Sequence, residues 1–171
     1  MKKITKFFMA ALMATTVGLV ACSKDDEKKS DNSETYTESA SYAIYYQDAA
    51  LTAGQTITCT PTAAQIELQD AEVDIYMFNK TESTLNTCFK VELAEGPDSM
   101  KDMPVCYGVC ESHPSPYTHE AIALAPGMDS QPIQVHVYMD MHNTHTGTYK
   151  ITVGEGENLA NPQVCFVKFT W

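Results

Sequence analysis

Cysteines carry the most specific chemistry in this chain of 171 residues. Cys106 and Cys110 are separated by three residues, and Gly108 between them permits the tight turn that would bring the two Cα atoms within disulfide distance. A redox pair is the alternative, but the spacing is not Cys-x-x-Cys, and no helix is predicted after it to activate a thiolate. The spacing therefore favours a structural disulfide.

Three further cysteines, Cys59, Cys88 and Cys165, lie in segments that alternate like strands. Cys59 and Cys165 lie on the same strand faces as the apolar residues of their segments, so both side chains are expected to point into a core. Cys88 lies on the face opposite Phe89 and is expected to point outward. We therefore predict a Cys59–Cys165 disulfide, with Cys88 as the odd thiol.

Five histidines and nine methionines suggest a metal or haem carrier as another interpretation. His142 and His145 could converge in one turn, whereas six extended residues, about 20 Å, separate His136 from His142. Two nearby methionines fall on the apolar face of a predicted strand, which indicates core packing rather than ligation of a soft metal. His142 and His145 are therefore weak candidates, and neither a metal nor a cofactor is predicted.

Catalytic motifs are missing from the sequence. It contains no Gly-x-Ser-x-Gly, no His-Glu-x-x-His and no phosphate-binding glycine-rich loop. Carboxylates are abundant, but abundance does not define a glycosidase pair, and carboxylates on strands usually form a solvated face. We predict that the protein is not an enzyme.

Alternation of apolar and polar residues predicts the elements that hold these side chains. Turn signals rich in glycine, proline and asparagine separate nine short segments, and no helical period extends over a long window after the N-terminal segment. The segments are 42–47, 55–60, 73–77, 85–93, 105–109, 120–124, 135–141, 148–153 and 164–171. Eight or nine strands predict an all-β domain built as a two-sheet sandwich.

The first 22 residues indicate the compartment. Three lysines precede an apolar stretch over residues 7–20, which is shorter than the roughly 20 residues of a membrane span and typical of a signal peptide. Leu19-Val20-Ala21-Cys22 resembles the bacterial lipobox, in which the signal is cleaved before the cysteine and the cysteine is acylated, as by palmitate. The resemblance implies a signal peptide over 1–21 and lipidation of Cys22; an ordinary signal with a chance cysteine is the alternative.

Residues 22–40 are predicted to be the lipidated cysteine and a disordered acidic tether. With six acids, three lysines and only Tyr36 as a large apolar residue, the segment buries too little surface to offset its ordering entropy. Ser23-Lys24-Asp25-Asp26-Glu27 resembles the export signal of Bacteroidetes surface lipoproteins; a plain solvated spacer is the alternative. The resemblance implies an outer-membrane protein exposed at the cell surface, with its domain over 41–171.

Several motifs, in order along residues 71–171, resemble an immunoglobulin- or fibronectin-type domain of secreted and surface Bacteroidetes proteins. They are Asn79-Lys80-Thr81, Phe89-Lys90-Val91, Cys106-Tyr107-Gly108-Val109-Cys110, Ile122-Ala123-Leu124-Ala125-Pro126-Gly127, the strand over 135–139 and Gly147-Thr148-Tyr149-Lys150. The Cys-x-Gly-x-Cys loop is the most specific of them. The resemblance implies an Ig-like or fibronectin-like sandwich of accessory or unknown role and no activity.

Two short motifs concern modification. Asp98-Ser99-Met100 resembles the acceptor for O-glycosylation in Bacteroidetes and lies in a predicted loop, which makes Ser99 a candidate glycosylation site. Asn79-Lys80-Thr81 fits the N-glycosylation pattern. A bacterial lipoprotein of this kind is not expected to use it, and we expect a turn there instead.

Charge excludes one class of partner. Residues 22–171 contain 8 lysines, no arginine and 22 acids, a net charge of −14, and residues 41–171 alone carry −11. Nucleic acid is not an expected partner, because phosphate binding needs a basic surface. We predict a surface-exposed module that binds an unidentified protein or glycan. The alternatives are a structural or accessory subunit of an envelope assembly and the haem or metal carrier.

Overall fold

The computed structural model describes residues 22–25, 34–139 and 144–171. In chain order the elements are β1 (Cys22–Asp25), β2 (Tyr42–Tyr46), β3 (Ala49–Ala50), β4 (Thr56–Cys59), α1 (Ala63–Leu68), β5 (Asp70–Asn79), β6 (Leu85–Glu95), β7 (Asp102–Tyr107), β8 (Val109–Pro114), β9 (Tyr117–Thr118), β10 (Ile122–Leu124), β11 (Ile133–Tyr138), β12 (Thr146–Glu155) and β13 (Ala160–Thr170). Each of the nine predicted segments overlaps at least one of these strands.

Two mainly antiparallel sheets face each other, which confirms the predicted all-β sandwich. The first sheet has the order β1-β4-β13-β12-β6-β10, and β9 also pairs with β6. The second has the order β3-β2-β5-β11-β7-β8. One pairing in the first sheet is parallel: β4 lies beside β13, with Ile57 opposite Val167 and Cys59 opposite Phe169.

The core lies between the sheets because apolar residues alternate with polar ones along each long strand. In β5 and β11, every second residue is buried and its neighbours are at least partly exposed. The largest fully buried side chains come from both sheets: Tyr42, Ile44, Ile57, Ile75, Met77, Phe89, Met103, Ile133, Tyr149, Ile151, Gln163 and Phe169.

A short helix, α1, connects the sheets and was not predicted. Thr62 caps its N-terminus by accepting a hydrogen bond from the backbone N–H of Gln65, and the Gln65 side chain accepts one from the backbone N–H of Thr62. This reciprocal capping box satisfies two backbone donors of the first turn. None of the helix residues is fully buried. In the part of the chain that the structure describes, no helix is long and apolar enough to cross a membrane.

The two ends of the predicted tether differ from the expected disorder. The backbone of β1 pairs antiparallel with β4, extending the first sheet. Further along, Tyr36 packs edge-on against Phe166 with ring centroids 5.7 Å apart, and Lys150 pairs with Glu34 at 3.2 Å. Tyr36 therefore packs on apolar surface of the domain, and the tether itself provides no such surface. The predicted signal peptide over 1–21 and the tether residues 26–33 lie outside the described residues.

Candidate functional site

The outward face of the second sheet carries the main candidate site, a groove of about 710 Å³. Its central strand is β5, in which Asp74, Tyr76 and Phe78 point away from the core because they alternate with buried residues. Tyr45 of β2 stands directly opposite Tyr76, and its ring meets that of Phe78 edge-on at 6.1 Å. Three half-buried aromatic rings therefore form the floor of the groove.

Carboxylates surround this floor. Asp48 reaches the groove from the turn between β2 and β3, where its φ of 61° lies in the left-handed region that hairpin turns of this kind require. Asp74 accepts a hydrogen bond from the Gln134 side chain at 3.0 Å, and Asp129 bridges back to Phe78 through its backbone.

The charge of this rim acts on the aromatic floor. Burial raises the pKa of the Tyr76 hydroxyl, and the negative charges of Asp74, Asp48 and Asp129 raise it further. The residues that line the groove include no lysine, arginine, histidine, serine or cysteine. The ring faces can contact cations or sugar rings, and the carboxylates can contact positive charge or hydrogen-bond donors.

The predicted Cys106–Cys110 disulfide is confirmed and lies on the same face of the same sheet. The two cysteines are direct partners across the β7–β8 hairpin, with Cα atoms 4.0 Å apart. Gly108 at the tip has a φ of +77°, which is the turn geometry expected from the sequence. The bond staples an edge hairpin of the second sheet.

The His136 side chain lies against this disulfide, a contact that the sequence did not predict. Its Nε2 atom lies 3.3 Å from Sγ of Cys106 and 3.3 Å from Oε2 of Glu72. Its Nδ1 atom lies 3.1 Å from Oδ1 of Asp70. Strand parity does place His136 on the outward face, opposite Val135 and Val137, but the sequence holds no sign that β7 is the neighbour of β11.

The predicted Cys59–Cys165 disulfide is wrong. Both side chains point into the core, as expected, but β4 and β13 pair with Cys59 opposite Phe169. Cys165 lies four residues before Phe169, about 13 Å away along the strand, which is well beyond disulfide distance. Cys165 is a free thiol, and its complete burial raises its pKa to about 12.

Cys88 is a free thiol, as predicted, but it does not point into solvent. It is only 1% exposed, because the β9–β10 segment covers this part of β6. Its Sγ atom donates to the backbone oxygen of His119 at 2.7 Å, and burial raises its pKa. Alternation predicted the correct face of β6 for Cys88, but it could not predict that another segment of the chain covers that face.

The other histidines serve in packing or lie outside the described residues. His145 contacts Trp171 edge-on at 5.7 Å, whereas His142 falls among the residues that the structure does not describe, so their convergence remains untested. His113 stacks on Tyr117 at 3.6 Å, and His119 stacks on Phe89.

The two motifs that match glycosylation patterns occupy different environments. Ser99 is exposed, in a short 3-10 helix over Asp98–Met100. Asn79 is fully buried: its Nδ2 donates to the backbone oxygens of Ser83 and Leu124, and its Oδ1 accepts from Thr81. It forms the turn expected from the sequence. The backbone of Cys22 lies in β1, and its lipidation stays a prediction.

Comparisons with known proteins identify the fold that carries this site. The chain is similar to the N-terminal domain of PorA, with a TM-score of 0.52 and 17% identity over 75% of this chain and 96% of that one. It is also similar to the CooA pilin subunit from enterotoxigenic Escherichia coli (TM-score 0.38, 9% identity, 76% and 97% covered) and to a PapD-like domain of human CEP192 (0.40, 9%, 85% and 94%). No protein-family model and no curated protein sequence matches the chain. At this identity the likeness to PorA shows the fold alone, and the chain is an Ig-like β-sandwich.

Proposed function

We propose that this protein is a lipid-anchored outer-membrane protein, exposed at the cell surface, whose sandwich is a non-catalytic binding module. The lipobox-like sequence ending at Cys22 and the acidic residues after it support the anchor and the location. The Ig-like fold is compatible with an interaction module. The observation that carries the binding function is the groove with its aromatic floor and acidic rim.

The chemistry of the groove fits a basic segment of a partner protein. A lysine or arginine side chain laid across Tyr45 and Tyr76 gains cation–π contact with the rings, and the carboxylates of the rim neutralise its charge. In the described residues, no ion pair includes Asp48, Asp74 or Asp129, so these charges are available to a ligand. The domain's net charge of −11 would steer a positive partner toward it.

An array of lysine- and arginine-containing peptides tests this function, with their neutral and acidic counterparts on the same surface. The purified protein is expected to retain basic peptides only, and the affinity should fall as salt is raised because exposed charges are screened. Replacing Asp74→Asn together with Asp129→Asn should weaken the best peptide about tenfold, which corresponds to roughly 1.4 kcal/mol.

A matched control removes the same charge elsewhere. Glu67→Gln with Glu157→Gln alters two exposed carboxylates outside the groove and should leave the affinity unchanged. Equal losses in the two double variants would assign binding to net charge and contradict a site in the groove. Retention of glycans but of no basic peptide on parallel arrays would contradict the proposed ligand class.

A further inference from the structure

One region of the second sheet's outward face gathers metal-ligating side chains outside the aromatic floor of the groove. The ligand atoms of Cys106, Cys110 and His136 all lie within 4.8 Å of one another. These residues belong to β7, β8 and β11, which are neighbours in the sheet. The sheet therefore presents two sulfur atoms and one imidazole nitrogen to a single point.

Two carboxylates complete the arrangement around the imidazole. Oε2 of Glu72 lies 3.3 Å from Nε2 of His136, on the same side as the sulfur of Cys106. Asp70 faces the other ring nitrogen, Nδ1, at 3.1 Å. In the tautomer that carries its proton on Nδ1, Asp70 accepts a hydrogen bond from that nitrogen, and the lone pair of Nε2 faces Cys106 and Glu72. Zinc-binding histidines are oriented by a carboxylate in this manner.

The disulfide determines whether a metal ion can bind to this cluster. Metals bind cysteine as the thiolate, and the two sulfurs are bonded to each other in the oxidised protein. Cys110 is exposed, so the thiolate of a small reductant can attack its Sγ. The S–S bond breaks, Cys106 leaves as a thiolate, and a second reductant thiol releases Cys110 from the mixed disulfide. Two electrons and two protons pass to the protein, and the reductant departs as its own disulfide.

We infer that reduction of the Cys106–Cys110 disulfide by a thiol creates a zinc site, with Cys106, Cys110, His136 and Glu72 as its ligands. Thiolates, imidazoles and carboxylates are all ligands of Zn²⁺, which binds four of them in a tetrahedron, whereas Ca²⁺ and Mg²⁺ take oxygen ligands. Binding displaces the two thiol protons. Asp70 orients His136 without contacting the metal. The oxidised protein lacks the two thiolates, so metal binding reports the redox state of the hairpin.

Calorimetric titration of the purified protein with zinc alone tests this site. One sample stays oxidised. The other is reduced with a phosphine, which takes an oxygen atom from water while the disulfide gains two hydrogens, and is then desalted without oxygen. The reduced protein is expected to bind one zinc ion about 100-fold more tightly than the oxidised protein and to release protons. Cobalt in place of zinc should give sulfur-to-metal charge-transfer absorption in the reduced protein only.

Variants assign the ligands, with circular dichroism as the check on folding. His136→Gln should weaken zinc binding at least about tenfold, and Asp70→Asn about 10- to 100-fold. His145→Gln, which changes a histidine packed against Trp171, should bind like the unchanged protein. Equal binding by oxidised and reduced protein, or a loss with His145→Gln but not with His136→Gln, overturns the inference. So does the absence of sulfur-to-cobalt absorption in the reduced wild-type protein, a result that depends on no variant.

Discussion

Tyr42 joins the two sheets through a single hydroxyl group. The residue belongs to β2 in the second sheet and is fully buried. Its hydroxyl lies 2.7 Å from the backbone oxygen of Val153 and 2.8 Å from that of Asn161, and it accepts the backbone N–H of Gln163 at 3.0 Å. All three partners lie in the β12–β13 hairpin of the first sheet, so one side chain satisfies polar groups of the opposite layer.

Tyr42→Phe is expected to lower the free energy of unfolding by about 1–3 kcal/mol, because the backbone groups in the hairpin lose a buried partner. Urea unfolding at neutral pH measures the change. Tyr45→Phe, which removes a hydroxyl from the outward face of the same strand, should cost less than about 0.5 kcal/mol. A Tyr42→Phe variant as stable as Tyr45→Phe would show that the hydroxyl does not join the sheets.

The contribution of Tyr42 to the free energy of unfolding depends on pH. Burial raises the pKa of Tyr42 from 10 to about 12, so the folded protein holds this proton more tightly than the unfolded chain. The stabilisation is complete below pH 10 and is lost as the pH rises toward 12. Part of this alkaline loss should disappear in Tyr42→Phe, and the part due to Tyr149, whose pKa burial also raises, should remain.

At the scale of elements, the β12–β13 hairpin depends on one close backbone approach. The pairing of these strands shifts register between Val153 and Glu155. Gly154, at this irregularity, leaves room for Leu159: a Cβ added there would lie 2.4 Å from the Leu159 Cα and 2.5 Å from its carbonyl carbon. Both are main-chain atoms, so a side-chain rotation cannot relieve the clash.

Gly154→Ala is therefore expected to destabilise the protein by about 2–3 kcal/mol, since the hairpin must shift to admit a methyl group. Gly127→Ala provides the comparison. Gly127, unlike Gly154, has a positive φ, but a Cβ there meets nothing within 4 Å, and only the conformational cost of about 1 kcal/mol applies. Thermal unfolding of both variants checks the order, and a smaller effect at Gly154 would contradict it.

Alternation predicted the strands well because period two is a local property. It failed where burial is absent or the element is very short: the residues of β8 are nearly all exposed, and α1 is a single capped turn too short to show a period. Register is also beyond alternation. Cys59 and Cys165 were correctly placed in the core, but parity assigns a face and not a position along the neighbouring strand.

The candidate sites were predictable only in part. The Cys106–Cys110 bridge follows from a local spacing. The groove and the His136 cluster arise from neighbours across strands: Tyr45 meets Tyr76 through the β2–β5 pairing, and His136 meets Cys106 through the β11–β7 pairing. These pairings join residues 30 or more positions apart, and no local pattern in the sequence specifies them.

At the scale of the whole molecule, the proposed lipid anchor and surface location require the groove to lie outside the cell. Protease treatment of intact cells checks this placement, because only an exposed protein can be cut. Cleavage after Lys28 or Lys29 would cut the covalent link between Cys22 and the rest of the sandwich, and palmitate labelling should be lost in Cys22→Ala. Complete protection on intact cells, with cleavage after lysis, would contradict surface exposure.

The parallel pairing of β4 with β13 also has a consequence for how the chain matures. Thr56 lies beside Phe166, about 110 residues later, so the first sheet cannot close until β13 has left the ribosome. Folds dominated by such distant pairings form slowly, over milliseconds to seconds. In a chain synthesised from its N-terminus, the first sheet therefore stays incomplete through most of the synthesis, and an incompletely folded polypeptide is one that a secretion channel can thread.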